Sequence, residues 1–156
     1  MEIAGLPLHP LTVHATVVVV PLSAVVAIVF AVVPRWRWLT RWPSAVTAVL
    51  ALGASWLSST SGEALAEATP RVAEAIEEHE DLGELLAASM IPFAVVVVLA
   101  AWSLAGPTAL VSGRGAQHSR IASLEKVLPA VLVPGSLGVL VLVVLVGDSG
   151  ARAVWG

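Results

Sequence analysis

Cysteine is absent from this chain of 156 residues. Its absence excludes disulfides, thiolate metal sites, iron–sulfur ligation and haem attached covalently through Cys-x-x-Cys-His. Methionine is nearly absent, at two residues, too few for a thioether-rich Cu(I) site. Charge is scarce: 12% of residues are Asp, Glu, Lys or Arg, against about 25% in soluble domains. The net charge of −3 leaves no basic footprint for nucleic acid. No Gly-x-Ser-x-Gly, His-Glu-x-x-His, P-loop or dinucleotide-binding fingerprint occurs, so no enzymatic reaction is assigned. The hydroxyl cluster Ser58-Ser59-Thr60-Ser61 has no evident base beside it.

Apolar residues are abundant, at 58%, where soluble domains run at about 45–50%. The chain reads as an integral membrane protein, too short for more than one domain, residues 1–156. Four apolar runs stand out, at about 11–33, 43–60, 83–105 and 126–146. The first is too long for a signal-peptide core and has no basic segment before it. Pro21, Pro92, Pro129 and Pro134 fall inside these runs, a pattern tolerated in lipid. His9 and Pro10 read as an N-cap and first helical residue, and Pro43 as the first residue of the second helix. Gly135 and Gly138 permit close helix approach. The fold expected is all-α: a four-helix membrane bundle with an amphipathic helix leading into the third span.

Basic residues orient the chain. Arg35, Arg37 and Arg41 follow the first run, and Arg114, Arg120 and Lys126 precede the fourth. The positive-inside rule places both loops in the cytoplasm and both termini outside. Trp36, Trp38 and Trp42 fit an aromatic anchor at the cytoplasmic surface. Ten of the eleven acidic residues fall on the opposite face, Glu125 being the exception.

That outer face also collects three of the four histidines: His9, His14 and His79. Thr69-Pro70 reads as a helix start. From there, steps of about 100° put Val72, Ile76, His79, Gly83 and Leu86 on one stripe. Glu77, Asp81 and Glu84 point away from it. His79 thus faces inward. An imidazole at the edge of a lipid-spanning bundle is costly unless paired or coordinated. Two neutral imidazoles on facing helices can bind a b-type haem, and His14 with His79 is the expected pair. Alternatively His9, His14 and His79, joined by Glu63, Glu78 or Asp148, form a site for a single transition metal ion. Asp148 either bonds a ligand histidine from behind or pairs with Arg152. Gly147 and Gly150 suggest a tight turn there. A quinone pocket with histidine and carboxylate proton partners is a third possibility. His9 also suits helix capping, and His118 reads as a solvated loop residue. A competing expectation is a non-enzymatic accessory subunit, or a homo-oligomer, packing through the small-residue faces of spans two and four.

The opening Leu6-Pro7-Leu8-His9-Pro10-Leu11-Thr12-Val13-His14 with Pro21, the closing glycine-rich Gly147-Asp148-Ser149-Gly150-Ala151-Arg152-Ala153-Val154-Trp155-Gly156, and His79-Glu80-x-x-Gly83 resemble a bacterial family of small four-span membrane proteins of unknown function. The resemblance covers nearly the whole chain in layout and implies the bacterial inner membrane. Some members of that family are fused to Rieske-type domains, which implies an electron-transfer partner. The layout is also similar to cytochrome b561-like four-helix haem proteins. This chain lacks their second histidine pair on the cytoplasmic side, so the likeness implies one haem at most, near the outer face.

Overall fold

The computed structural model describes residues 2–3, 6–68 and 73–155. Strands β1 (Glu2–Ile3) and β2 (Leu6–Pro7) pair antiparallel, Ile3 opposite Leu6. Four long helices follow: α1 (Leu8–Val32), α2 (Arg37–Ala68), α3 (Ala73–Ser103) and α4 (Leu124–Trp155). A short 3-10 turn, Pro34–Trp36, joins the first two. Each helix packs antiparallel against two others: α1 and α3 both lie on α2 and on α4.

Small residues share the interior with Phe30, Leu86, Met90, Leu104 and Leu132, while many large aliphatics face outward. Ala24, Ala27, Ala48, Ala51, Ala100, Ser23, Ser44 and Ser136 are fully buried, whereas Val18, Leu22, Val49, Leu50, Val95, Val141 and Val144 are exposed. So many exposed aliphatics would be unfavourable in water. In lipid, burying Leu or Val between helices brings no hydrophobic gain, and small residues let the backbones approach. Among the described residues three helices are long and apolar enough to cross a membrane, over Leu8–Val32, Ile76–Ser103 and Leu124–Ala153. Between them α2 is more polar, because its last part carries Ser58 to Ser61 and Glu63.

Element bounds differ from expectation in four places. His9 is not a cap: α1 begins at Leu8, so Pro10 still sits in the first turn, where its missing N–H is harmless. Pro43 is not the start of α2, which opens at Arg37, where the Arg37 guanidinium is tied to the end of α1. The amphipathic lead-in and the third span are one helix, α3. Its expected start at Thr69-Pro70 and Val72 lie outside the described residues. No turn forms at Gly147 and Gly150. There α4 runs on to Trp155, supported by a Ser149 Oγ bond to Val146 O (3.0 Å) and an Asp148–Arg152 ion pair one turn apart.

Between α3 and α4 the chain folds back on itself. Gly106 and Gln117 exchange two backbone bonds of 2.9 Å. The intervening turn uses Gly113 and Gly115 at φ +69° and +85°, left-handed values that glycine adopts without strain. His118 is exposed on this loop.

Candidate functional site

The two ends of the bundle differ in chemistry. At one end Arg37 gathers the termini of three helices. Its Nε donates to Phe30 O at 3.2 Å, and its Nη1 donates to Ala105 O and Glu125 Oε2, both at 3.0 Å. A guanidinium suits this task because its planar fork reaches several acceptors, and cations are favoured at helix C-termini. Glu125, in the first turn of α4, also accepts from the Ala105 N–H.

At the other end His9 and His79 meet, with ring centres 6.0 Å apart and planes at 77°. Both rings are half-buried. His9 Nδ1 lies 3.0 Å from Ser58 O, and His79 Nδ1 lies 3.1 Å from Val146 O and 3.3 Å from Ser149 Oγ. A carbonyl oxygen only accepts, so Nδ1 carries the proton in both rings. In the neutral form each Nε2 then holds a lone pair. Among the described residues neither Nε2 has a hydrogen-bond partner.

Both imidazoles rest on a glycine. A Cβ at Gly62 would lie 3.0 Å from His9 Cε1, and one at Gly150 would lie 2.9 Å from His79 Cε1. In each case a serine one residue earlier donates to the carbonyl that the histidine also uses: Ser61 to Ser58 O and Ser149 to Val146 O, both at 3.0 Å. The same device therefore occurs twice, once in the α1–α2 hairpin and once in the α3–α4 hairpin. The opposite end keeps the correspondence. Arg37 precedes Gly62 by as many residues as Glu125 precedes Gly150, and these two residues pair with each other. The two hairpins thus repeat these local features, with His9 and His79 as counterparts. Additional polar support is local: Thr12 Oγ1 donates to His9 O (2.9 Å) and lies 3.2 Å from Ser61 Oγ.

The other expected site residues are elsewhere. His14 is exposed on the outer face of α1, its Nδ1 bonded to Pro10 O of its own helix. The expected His14–His79 pair is therefore corrected to His9–His79. His9 belongs to the buried stripe Thr12, Thr16, Val20, Ser23, Ala27 and Phe30, and five residues along a helix carries His14 off that stripe. Glu63 is exposed and accepts from Ser59 at 3.4 Å. Asp148 and Glu78 are exposed and both pair with Arg152, so the plainer of the two expectations for Asp148 is the one found. The six-residue ligand set does not assemble: among the described residues no group of three or more His, Asp and Glu side chains could hold a metal ion. The expectation of close helix approach at Gly135 and Gly138 is also corrected, since nothing lies within 4 Å of a Cβ at either. The glycines that do permit it, Gly62 and Gly150, were visible as a Ser-Gly dipeptide near the ends of α2 and α4.

Against known families, a model described as "Predicted membrane protein (DUF2231)" matches residues 5–156. The chain belongs to this family. No curated protein matches it, and no solved structure does. Neither the Rieske-type fusions nor the cytochrome b561-like layout has a counterpart in these comparisons.

Proposed function

We propose that this member of the DUF2231 family is a four-span protein of a bacterial cytoplasmic membrane that holds one transition metal ion between His9 and His79, at its extracytoplasmic end. The observation that supports the reading is the shared tautomer. Two imidazoles, each anchored through Nδ1–H to a backbone carbonyl of a neighbouring helix, keep both Nε2 lone pairs uncommitted. Anchoring of the remote nitrogen is how proteins orient ligand histidines. The ring separation of 6.0 Å suits the same purpose. With metal–nitrogen bonds of about 2.0–2.1 Å, imidazoles on opposite sides of one ion have centres roughly 6 Å apart. Neutral imidazole suits Zn, Cu, Fe and Ni. With only two protein ligands, the remaining positions fall to water or a small ligand from outside. Copper or iron would make the site redox-active.

Haem b fits the donor set and fits the packing less well. Two axial imidazoles must leave a slot for the macrocycle, and both rings here are pressed onto the backbones of α2 and α4 at Gly62 and Gly150. The sidedness rests on the basic residues Arg35, Arg37, Arg41, Arg114, Arg120 and Lys126 at the arginine end, which the positive-inside rule assigns to the cytoplasm.

Elemental analysis and visible absorption of detergent-purified protein test the reading. One ion per chain is expected in the wild type and in His14→Ala, and none in His9→Ala or His79→Ala. A Soret band that shifts on reduction would reassign the pair to haem. A wild type that binds no added Zn, Cu or Fe, with variants differing only in stability, would reduce both imidazoles to helix staples.

A second reading, an accessory subunit, has its own observation. Pro92, Phe93, Val131, Gly135, Gly138 and Val139 line an outward-facing apolar recess of about 280 Å³ between α3 and α4. A helix of a partner fits such a small-residue groove. Recovery of the chain as a discrete monomer from mildly solubilised native membranes would count against it.

A further inference from the structure

Among the described residues, the arginine end holds a guanidinium with two buried donors that no acceptor meets. Arg37 and Arg41 are both buried, at 5% and 7% exposure. Arg37 spends its guanidinium on three helix-end carbonyls and Glu125. Arg41, one turn on, has Nε and Nη2 buried and without a partner among the described residues. Unsatisfied buried charge is among the most unfavourable arrangements in a fold, and each such group needs an explanation.

The surroundings are cationic. Arg120 stacks on Trp102, its Cζ 4.9 Å from the ring centre. Burial, then Arg120, then Arg37 lower the Arg41 guanidinium from its ordinary value. Glu125, the carboxylate paired with Arg37, is already taken up by Arg37 and the Ala105 N–H. The unbonded atoms are also the right ones. Nε–H and Nη2–H form the side-by-side fork of a guanidinium, which matches two oxygens of a phosphate. The fork is covered by Gly106, where a Cβ would lie 2.8 Å from Arg41 Nη2. Only a glycine can cover the guanidinium so closely.

We propose that Arg41, assisted by Arg120, binds the phosphodiester of an anionic phospholipid in the leaflet at the arginine end. The lipid source is favoured over free phosphate by position. Trp36, Trp42 and Trp102 are exposed beside the cluster, at 48%, 71% and 51%, as in the aromatic belts that sit at headgroup level. Basic pockets between helices at that level take anionic headgroups. Access to the fork requires the Gly106 segment, held by its two backbone bonds to Gln117, to shift off it, and the phosphodiester then supplies the two acceptors that Nε and Nη2 lack. The site is independent of the histidine pair.

Native mass spectrometry of the protein released from nanodiscs of phosphatidylcholine, with or without phosphatidylglycerol, tests the proposal. The wild type is expected to retain phosphatidylglycerol preferentially. Arg120→Gln, at an exposed position, is expected to lower that preference about fivefold, the effect of one basic residue near an anionic surface. Arg41→Gln abolishes it, and Arg41→Lys, which keeps the charge without the fork, restores only part. Equal retention of the two lipids by the wild type, or an unchanged preference in both Arg41→Gln and Arg120→Gln, overturns the site. Inorganic phosphate that raises the melting temperature in pure phosphatidylcholine discs, with no lipid preference, would assign the fork to a free anion and overturn the lipid source.

Discussion

A histidine seated on a glycine makes a sharp demand on that glycine. Replacing Gly150 by Ala places a methyl 2.9 Å from the His79 ring. The ring is pinned through Nδ1 and moves only by loosening its bonds to Val146 O and Ser149 Oγ. Overpacking of this kind costs about 1–3 kcal/mol, against roughly 1 kcal/mol gained in helix propensity. Gly150→Ala is therefore expected to lower stability in a mixed-micelle unfolding assay. Gly135→Ala, with open space around it, is expected to be neutral or stabilising by up to about 1 kcal/mol. In a His79→Ala background the Gly150→Ala penalty should vanish, and a double-mutant cycle measures that directly. Additive effects would mean that the two residues do not touch. The exposed Asp148–Arg152–Glu78 cluster makes the opposite case: Arg152→Ala should change stability by less than about 1 kcal/mol. At this scale the sequence was half legible. The inward aim of His79 followed from helical phase against the glutamates of α3. The choice between His9 and His14 did not, because both open the first apolar run at the same face of the membrane. The better guide was the small and polar stripe of Thr12, Thr16, Ser23 and Ala27, which marks the buried face of α1, whose Val17, Val18, Leu22 and Val25 point outward.

At the scale of elements, the four helices were legible because hydropathy runs are long, and their exact bounds were not. Pro43 suggested a helix start where the structure has a helix already under way, and Pro21, Pro92, Pro129 and Pro134 also lie inside helices. Neighbouring hydroxyls share the work at one of them, Thr47 Oγ1 donating to Pro43 O at 2.7 Å, as helices in lipid allow. What tied α2 to the rest was invisible without topology, since Arg37 reaches Ala105 and Glu125 across 68 and 88 positions. The side chain of Arg37 is buried and that of Glu125 is about a quarter exposed. Removing one partner of such a pair strands the other, at a cost of roughly 3 kcal/mol. Arg37→Gln should reach that figure because three helix-end carbonyls lose a donor as well. Glu125→Gln should cost less, since its amide oxygen still accepts from the Ala105 N–H. The double variant should fall short of the sum, and strict additivity in the same assay would show that the pair is not coupled.

For the molecule as a whole, the decisive feature is that one hairpin answers the other across the bundle. His9 and His79 come from helices running in the same direction and meet at one end of the bundle, so the paired imidazoles face one side of the membrane only. The Arg37–Glu125 pair lies at the other end. This polarity makes sidedness measurable, and the absence of cysteine makes the measurement clean. Ser59→Cys sits at the histidine end and Ser112→Cys in the loop at the arginine end. In intact cells a membrane-impermeant maleimide should label Ser59→Cys and leave Ser112→Cys unmodified until the membrane is opened. Substituting Arg35, Arg114 and Lys126 by Gln leaves the buried Arg37 and Arg41 in place and removes surface charge that orients the chain. A mixed labelling pattern is then expected, with a fraction of chains inverted. Reversed labelling in the unaltered protein would move the imidazoles to the cytoplasm. The proposed ion site would keep its geometry under that result and lose its access to extracytoplasmic ligands. The tetrad of Arg37, Arg41, Arg120 and Glu125 would then meet the outer leaflet, where the lipid preference of Arg41 would have to be sought.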